Sequence, residues 1–165
     1  TCQSYRGGTF NHCLPAYVAD ANKRVINVEN QQGEVLGRSV IKLTHILGKD
    51  GQSHPAILLE PIYTTSEIAS IYRGIIRVAL EKARATGAYL VMRTEFMVHT
   101  GASNERAIPV IETEAAKQNR NYSNRDLEIF IPQSFNPYEY SDSLGGVISY
   151  FDRYVSLSNA VIVSP

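Results

Sequence analysis

The stretch from Thr64 to Met92, TTSEIASIYRGIIRVALEKARATGAYLVM, limits the possible folds of this chain more than any other part of it. Its apolar residues recur at spacings of three and four, which is the pattern of a helix with one buried face. The apolar stripe consists of Ile68, Ile71, Ile75, Ile76, Ala79, Leu80 and Ala83. We therefore predict one long amphipathic helix from Ser66 to Thr86.

Both ends of this helix carry recognisable signals. Thr64 and Glu67 have the spacing of a capping box, in which a hydroxyl and a carboxylate accept hydrogen bonds from backbone amides at the helix start. Gly87 follows the helix, and glycine readily adopts the left-handed conformation that ends one. Arg77 and Glu81 lie one turn apart on the predicted solvent face, where they can form an ion pair.

The segments on either side of the helix have the composition of strands. AILLEPIY precedes it, with a strand that ends near Pro61, and AYLVM follows it. Because strand, helix and strand follow in sequence, we expect two parallel neighbours joined by a right-handed crossover. Further upstream, KRVINVEN and VLGRSVIKLTHIL flank a glycine-containing turn and predict a hairpin. GKDGQSHP, which comes next, is predicted to be a loop.

The second half of the chain is less regular. A helix is possible from Val110 to Gln118, and LEIFIP has the composition of a short strand. The apolar spacing from Leu144 to Val155 favours a helix, although the β-branched and aromatic content also permits a hairpin. We favour the helix, followed by a strand from Ala160 to Val163. The predicted fold class is α+β, a mixed and largely antiparallel sheet with a β-α-β crossover and one long helix packed on it.

Length and charge limit the partners that this chain can have. Its 165 residues fit a single domain. Because residue 1 is Thr and not Met, we expect this domain to be part of a longer protein. Sixteen basic residues balance sixteen acidic ones, so no net field attracts nucleic acid. The apolar runs are too short to span a bilayer. We expect a soluble, cytoplasmic domain whose partner is another protein or the rest of its parent chain, and no membrane.

The two cysteines, Cys2 and Cys13, allow several interpretations. A reduced pair is the one we favour, and a disulfide is the alternative. A zinc site that includes His12 lacks the ligand spacing of known zinc sites, so no metal is predicted. Cys13 could also be the nucleophile of a hydrolase. The spacing selects no base for it among His45, His54 and His99.

The order of elements from Lys23 to Met92 resembles the core of the GCN5-related N-acetyltransferase fold. A hairpin, a third strand, a long crossover helix that ends on Gly87 and a following strand occur in the same sequence in that family. The resemblance covers somewhat under half of the chain. It implies acetyl-CoA as the possible cofactor, with its pyrophosphate bound by backbone amides at the start of the helix.

The chain departs from this family at the cofactor loop. The family has glycines before the helix, whereas this chain has TTSEIASIY. Glu67 places negative charge in the first helical turn, where it would repel a phosphate. Arg73 and Gly74 lie too deep in the helix to replace the missing loop. A degenerate member of the fold, used for packing or recognition, is therefore as well supported as a working enzyme.

Three residues are the candidates for catalysis. Glu60 lies near the end of the third strand, where the resemblance implies that a carboxylate can act as a general base. Tyr138 and Tyr140 belong to YEYSD, in which Asp142 could support a phenol that acts as an acid. Each has a structural alternative, because Glu60 can be an ordinary edge carboxylate and the tyrosines can pack or contact a partner.

Three functional hypotheses follow. The first is an acetyltransferase-like domain that transfers an acyl group from acetyl-CoA to an amine, which predicts a splayed cleft between the third and fourth strands. The second is a non-catalytic recognition or accessory module of a larger bacterial protein, which predicts an exposed apolar or aromatic patch that includes Tyr138 and Tyr140. The third is a hydrolase that depends on Cys13.

Overall fold

A computed structural model of the protein describes residues 20–65, 69–93, 107–132, 138–144, 146–149 and 154–165, with residues 107–109, 138–139 and 146–149 described by their backbone alone. These residues form nine strands and two helices. The strands are β1 (Lys23–Glu29), β2 (Val35–Leu47), β3 (Ser53–Leu59), β4 (Tyr63–Thr64), β5 (Tyr89–Arg93), β6 (Tyr122–Phe130), β7 (Tyr138–Ser141), β8 (Gly146–Ser149) and β9 (Tyr154–Val163), and the helices are α1 (Ala69–Thr86) and α2 (Ala107–Lys117).

The main sheet has seven strands in the order β1-β2-β3-β5-β9-β6, with β4 paired to β2. The predicted parallel pair is confirmed, because β3 and β5 run side by side from Ala56 opposite Tyr89 to Leu59 opposite Met92. The other pairings of the described strands are antiparallel, including the predicted β1–β2 hairpin. The broad prediction of a mixed and mostly antiparallel α+β sheet is therefore confirmed.

An additional pairing closes part of this sheet into a ring. His45 and Ile46 of β2 pair with Phe130 and Ile129 of β6, while β6 also pairs with β9. Each of the five strands β2, β3, β5, β9 and β6 thus has two neighbours within the set. Closure of this kind removes exposed strand edges. It gives the sheet an inner face and an outer face.

The two faces carry separate apolar cores because side chains alternate along each strand. Ile57 and Leu59 of β3 point outward and pack with α1. Ala56 and Leu58 point inward, where they meet the inner residues of the other strands of the ring. Those partners are Ile46, Val91, Leu127, Ile129, Leu157, Ala160 and Ile162.

Helix α1 covers the outer face and matches the predicted stripe. Its buried residues are Ile71, Tyr72, Ile75, Ile76, Ala79, Leu80 and Ala83. Gly87 adopts the predicted left-handed conformation, with φ of 64°. The amide of Gly87 donates to Arg84 O at 3.1 Å and that of Ala88 donates to Ala83 O at 2.9 Å, which is the Schellman pattern. Glu67 and Ile68 lie outside the described residues, so the capping box stays a prediction.

The prediction of a single long helix is incomplete, since α2 also forms. It begins at Ala107 and ends at Lys117, close to the bounds expected for the possible second helix. Its Ile111 and Ala115 are buried in the outer core beside α1.

No helix of the described residues is long and apolar enough to cross a membrane.

The helix favoured for Leu144 to Val155 is wrong. The backbone is extended in β8 and again in β9, and β8 pairs with β7 rather than with β9. The helical spacing ran through residues of two separate sheets, because Val147 and Ile148 lie in β8 whereas Tyr154 and Val155 lie in β9. The predicted strand from Ala160 to Val163 is confirmed as part of β9.

The loop predicted at GKDGQSHP is shorter than expected. Ser53, His54 and Pro55 belong to β3, in which Pro55 lies opposite His45. The turn itself centres on Gly51, which has φ of 74°. Pro55 is predicted to be part of the loop because proline often interrupts strands, but proline is tolerated near the beginning of a strand, and β3 begins before it.

Candidate functional site

Glu60 lies where the inner face of the ring becomes polar. It directly follows β3 and continues the alternation of Ala56 and Leu58, so its side chain belongs to the inner face. Lys42 of β2 lies opposite Leu58 and shares that face. Both charged residues are buried, with 2% of Lys42 and 6% of Glu60 exposed. Burial of this degree requires that each charge has a partner.

The carboxylate of Glu60 receives three donors. Its Oε1 lies 2.8 Å from Lys42 Nζ and accepts a hydrogen bond of 2.6 Å from the hydroxyl of Ser141. Its Oε2 accepts a hydrogen bond of 2.9 Å from the backbone amide of Ser143. Neither oxygen therefore lacks a donor.

These contacts determine the ionisation of Glu60. Burial opposes the charged form, but the charge of Lys42 and the hydrogen bonds from Lys42, Ser141 and Ser143 outweigh it and lower the pKa of Glu60 below its ordinary value. Glu60 is thus a carboxylate at neutral pH.

Asp142 is a second carboxylate beside this pair and is bound by two phenols. Tyr63 Oη donates to its Oδ2 and Tyr140 Oη donates to its Oδ1. Burial raises the pKa of Tyr63 well above its ordinary value, and the hydrogen bond to Asp142 and the charge of Asp142 raise it further. Tyr63 therefore remains a neutral hydrogen-bond donor. The guanidinium of Arg38 lies 6.0 Å from the centre of the Tyr63 ring.

The polar partners come from the end of the β7–β8 hairpin, which we call the tip (residues 140–144). In addition to the Glu60 and Tyr63 contacts, Lys42 Nζ donates to Tyr140 O and Arg93 donates to Ser143 O at 3.2 Å. The tip is therefore attached to side chains from β2, from β4, from β5 and from the residue that follows β3. It stands over the carboxyl ends of the parallel strands β3 and β5.

The structure brings two of the three predicted catalytic residues together. Glu60 and Tyr140 both belong to this network, whereas the side chain of Tyr138 lies outside the described residues. Tyr140 is only 7% exposed, so its predicted place in an exposed patch is wrong. The exposed large apolar side chains of the described residues are elsewhere, at Val25, Val35, Leu43, Leu47 and Tyr154.

The other sequence candidates do not join this network. Cys2, His12, Cys13 and His99 lie outside the described residues, so the cysteine hypotheses stay predictions. His45 lies beside Phe130, with 6.2 Å between ring centres, and His54 contacts Asp50 at 3.1 Å. Within the described ranges, no group of three or more His, Cys, Asp or Glu residues is arranged to hold a metal ion. Arg73, which lies within α1, approaches Glu114 at 3.7 Å.

Sequence reasoning missed Lys42, Tyr63, Ser141 and Ser143. Lys42 carried no usable signal, because the apolar residues Leu43 and Leu47 alternate with it and would be expected on the buried face. The structure instead exposes both leucines and buries Lys42. The two serines carry none, since their role depends on a contact made across more than 80 residues of sequence.

As it stands, this network gives each oxygen of both carboxylates at least one donor. The lowered pKa of Glu60 makes it a weak base as long as Lys42 and the tip stay in place. The arrangement therefore positions a hairpin more directly than it supports acid-base chemistry.

Comparison of the chain with protein-family models, with curated proteins and with solved structures found no match, so no family is assigned on that basis.

Proposed function

We propose that this chain is a recognition or accessory domain with an acetyltransferase-like order of elements, and that it does not transfer acyl groups. The observation that carries the proposal is the state of Glu60. A general base must reach the proton that it removes. Glu60 is instead buried, ionised and bound by Lys42, Ser141 and Ser143.

The surroundings of Glu60 support the same proposal. An acyl-CoA cleft requires the two parallel strands to separate at their carboxyl ends, but β3 and β5 stay paired as far as Leu59 and Met92. The tip lies over these ends, where Ser143 contacts both Glu60 and Arg93. A cofactor would have to displace the tip before it could enter.

Acyl transfer is the second candidate, and one observation favours it. The resemblance implies a base at Glu60, and Tyr140 is the predicted acid. The folded chain gathers both residues at the carboxyl ends of β3 and β5. In this alternative, acetyl-CoA displaces residues 141–144 from Glu60, while Tyr140 stays bound to Lys42 through its backbone carbonyl. The amine nitrogen attacks the acyl carbon and gives its proton to Glu60, the bond from that carbon to sulfur breaks, and Tyr140 protonates the thiolate that leaves.

Calorimetric titration with acetyl-CoA separates the two candidates. We expect no saturable heat at millimolar acetyl-CoA and no rise in melting temperature, because a ligand stabilises a fold only to the extent that it binds it. Free CoA is the matched control, since it shares the nucleotide and lacks the acyl group. Saturable binding of acetyl-CoA would overturn the proposal, and release of CoA in the presence of an amine would establish the alternative.

A further inference from the structure

The tip is held to the main sheet by polar groups. Ser141 and Ser143 are 0% and 1% exposed, yet both are polar residues. Their burial depends on Glu60, which accepts from the hydroxyl of Ser141 and the amide of Ser143. Contacts of this kind can be exchanged for equivalent contacts with another molecule at little net cost, because each hydrogen bond replaces a similar one.

Side chains of the main sheet bind both the backbone and the side chains of the tip, as they would bind a separate peptide. Lys42 and Arg93 donate to the backbone carbonyls of Tyr140 and Ser143. Glu60 accepts from a backbone amide and a serine hydroxyl, and Tyr63 donates to an aspartate. The groups that are recognised are thus backbone carbonyls, a backbone amide, one hydroxyl and one acidic side chain.

We propose that the tip occupies, from within the chain, a binding site for a short acidic, serine-bearing segment of a partner protein. The partner segment and the tip exclude each other, so the domain is held in an autoinhibited state until the tip is displaced. This inference rests on the proposed recognition function and names its site and the class of its ligand.

The charges at the site favour a peptide over a free anion. Glu60 stands at the centre of the contacts and accepts from a hydroxyl and an amide, whereas an ionised phosphate group has only acceptor oxygens to offer it. A peptide amide, in contrast, satisfies Glu60, while peptide carbonyls satisfy Lys42 and Arg93. An aspartate in such a segment accepts from Tyr63, and the neighbouring serine hydroxyl is a second donor to Glu60.

A variant with Ser141→Ala and Asp142→Asn tests this proposal from the side of the tip. It weakens the attachment of the tip and leaves Lys42, Glu60 and Tyr63 unchanged. The probe is a fluorescent synthetic peptide with the sequence of residues 138–149, measured by anisotropy. We expect it to bind the variant at least about tenfold more tightly than the unmodified protein, because a tethered competitor at an effective millimolar concentration has been weakened.

Two controls make the result specific. The same peptide with Asp142→Asn is expected to bind the variant about tenfold more weakly, which corresponds to about 1.4 kcal/mol. Adding Glu60→Gln to the protein variant should abolish the gain in affinity for the peptide. Hydrogen exchange at the amide of Ser143 reports release of the tip, and exchange at Leu90 in β5 reports whether the sheet remains folded. If the double variant does not fold, Asp142→Asn alone is used, with a gain of about threefold expected from loss of one charge-assisted contact.

Either of two results would overturn the inference. Unchanged protection of the Ser143 amide in the variant would mean that these contacts do not hold the tip. Faster exchange at Ser143 without tighter binding of the peptide would mean that release of the tip uncovers no peptide site. Both are distinct from failure of the recognition proposal itself, which is decided by the acetyl-CoA titration.

Discussion

Single residues decide the stability of the inner core, and the Lys42–Glu60 pair is the clearest case. Glu60→Gln keeps the shape of the side chain but removes its charge, so the buried ammonium of Lys42 loses the carboxylate that lies 2.8 Å away. We expect the free energy of unfolding to fall by about 3 kcal/mol, since removal of one partner from a buried pair has a cost of that order. Urea denaturation monitored by circular dichroism measures it.

The exposed pair on α1 provides the matched control. Arg77 and Glu81 lie 3.8 Å apart, and both side chains are about 60% exposed. Glu81→Gln makes the same chemical change in solvent, where the free energy of unfolding should fall by at most about 0.5 kcal/mol. Equal losses for the two variants would contradict the view that the buried pair anchors the tip.

The lowered pKa of Glu60 predicts a pH dependence of definite sign. A carboxyl whose pKa is lower in the folded state stabilises the fold above the unfolded pKa of about 4.3 and loses this contribution as the pH falls through the folded pKa. The stability difference between the natural chain and Glu60→Gln should therefore be constant from about pH 6 to 8 and shrink below about pH 5. The remaining ionisable groups are the same in both proteins, so their effects largely cancel. Denaturation midpoints at a series of pH values test this, and a difference that grows in acid would contradict it.

The sequence could identify parts of the network but not the way they meet. The place of Glu60 at the end of a strand and the chemistry of Tyr140 and Asp142 are visible in the sequence. Eighty-one residues separate Glu60 from Ser141, and no local pattern reports a contact across that distance. The same holds for the burial of Tyr140, because exposure of a tyrosine in a turn-rich segment depends on what the segment packs against.

At the scale of elements, the contact between α1 and β2 is unusually close. A methyl group at Gly37 would lie 2.3 Å from Cγ2 of Ile71, which is closer than two carbons can approach. We expect Gly37→Ala to lower the free energy of unfolding by about 1 to 3 kcal/mol, since overpacking of a core has a cost in this range. Thermal and urea denaturation check this prediction.

Gly74 is the control for this substitution because it has room for a methyl group. The nearest atom to a Cβ there is Cγ2 of Val28, at 3.8 Å. Gly74→Ala should raise the free energy of unfolding by about 0.5 to 1 kcal/mol, because alanine is the better helix former at an interior position. A loss of stability at Gly74, or none at Gly37, would show that the helix and the sheet are not packed in this way.

Elements whose apolar residues follow one regular spacing were predictable from the sequence, and elements in which that spacing is interrupted were not. The stripe of α1 and the glycine turn of the β1–β2 hairpin are local signals, and both elements form as expected. The start of β9 was predicted to be helical because the apolar residues from Leu144 to Val155 have helical spacing, although they belong partly to β8 and partly to β9. Its strand conformation is imposed by pairing with β5 and β6, which are distant in sequence.

For the whole molecule, the last strand of the chain has a central position. β9 pairs with β5 from Arg93 to Leu90 and with β6 along most of its length. It therefore joins the parallel half of the sheet to the half that returns to β2. The ring remains open until the final residues of the chain are in place, so most of the sheet depends on contacts of long sequence separation.

Removal of β9 should consequently prevent folding of the whole domain. A chain that ends at residue 153 leaves β5 and β6 without their shared partner and removes buried apolar residues from both cores. Loss of Leu157, Val161, Ile162 and Val163 alone removes about 6 to 12 kcal/mol of apolar burial, which is comparable to the total stability of a typical domain, about 5 to 15 kcal/mol. We expect collapsed amide dispersion in NMR spectra and no cooperative unfolding, whereas removal of the exposed Pro165 alone should change neither. A truncated chain that keeps dispersed amides and protected residues in β3 and β5 would show that the parallel pair and α1 fold without the ring.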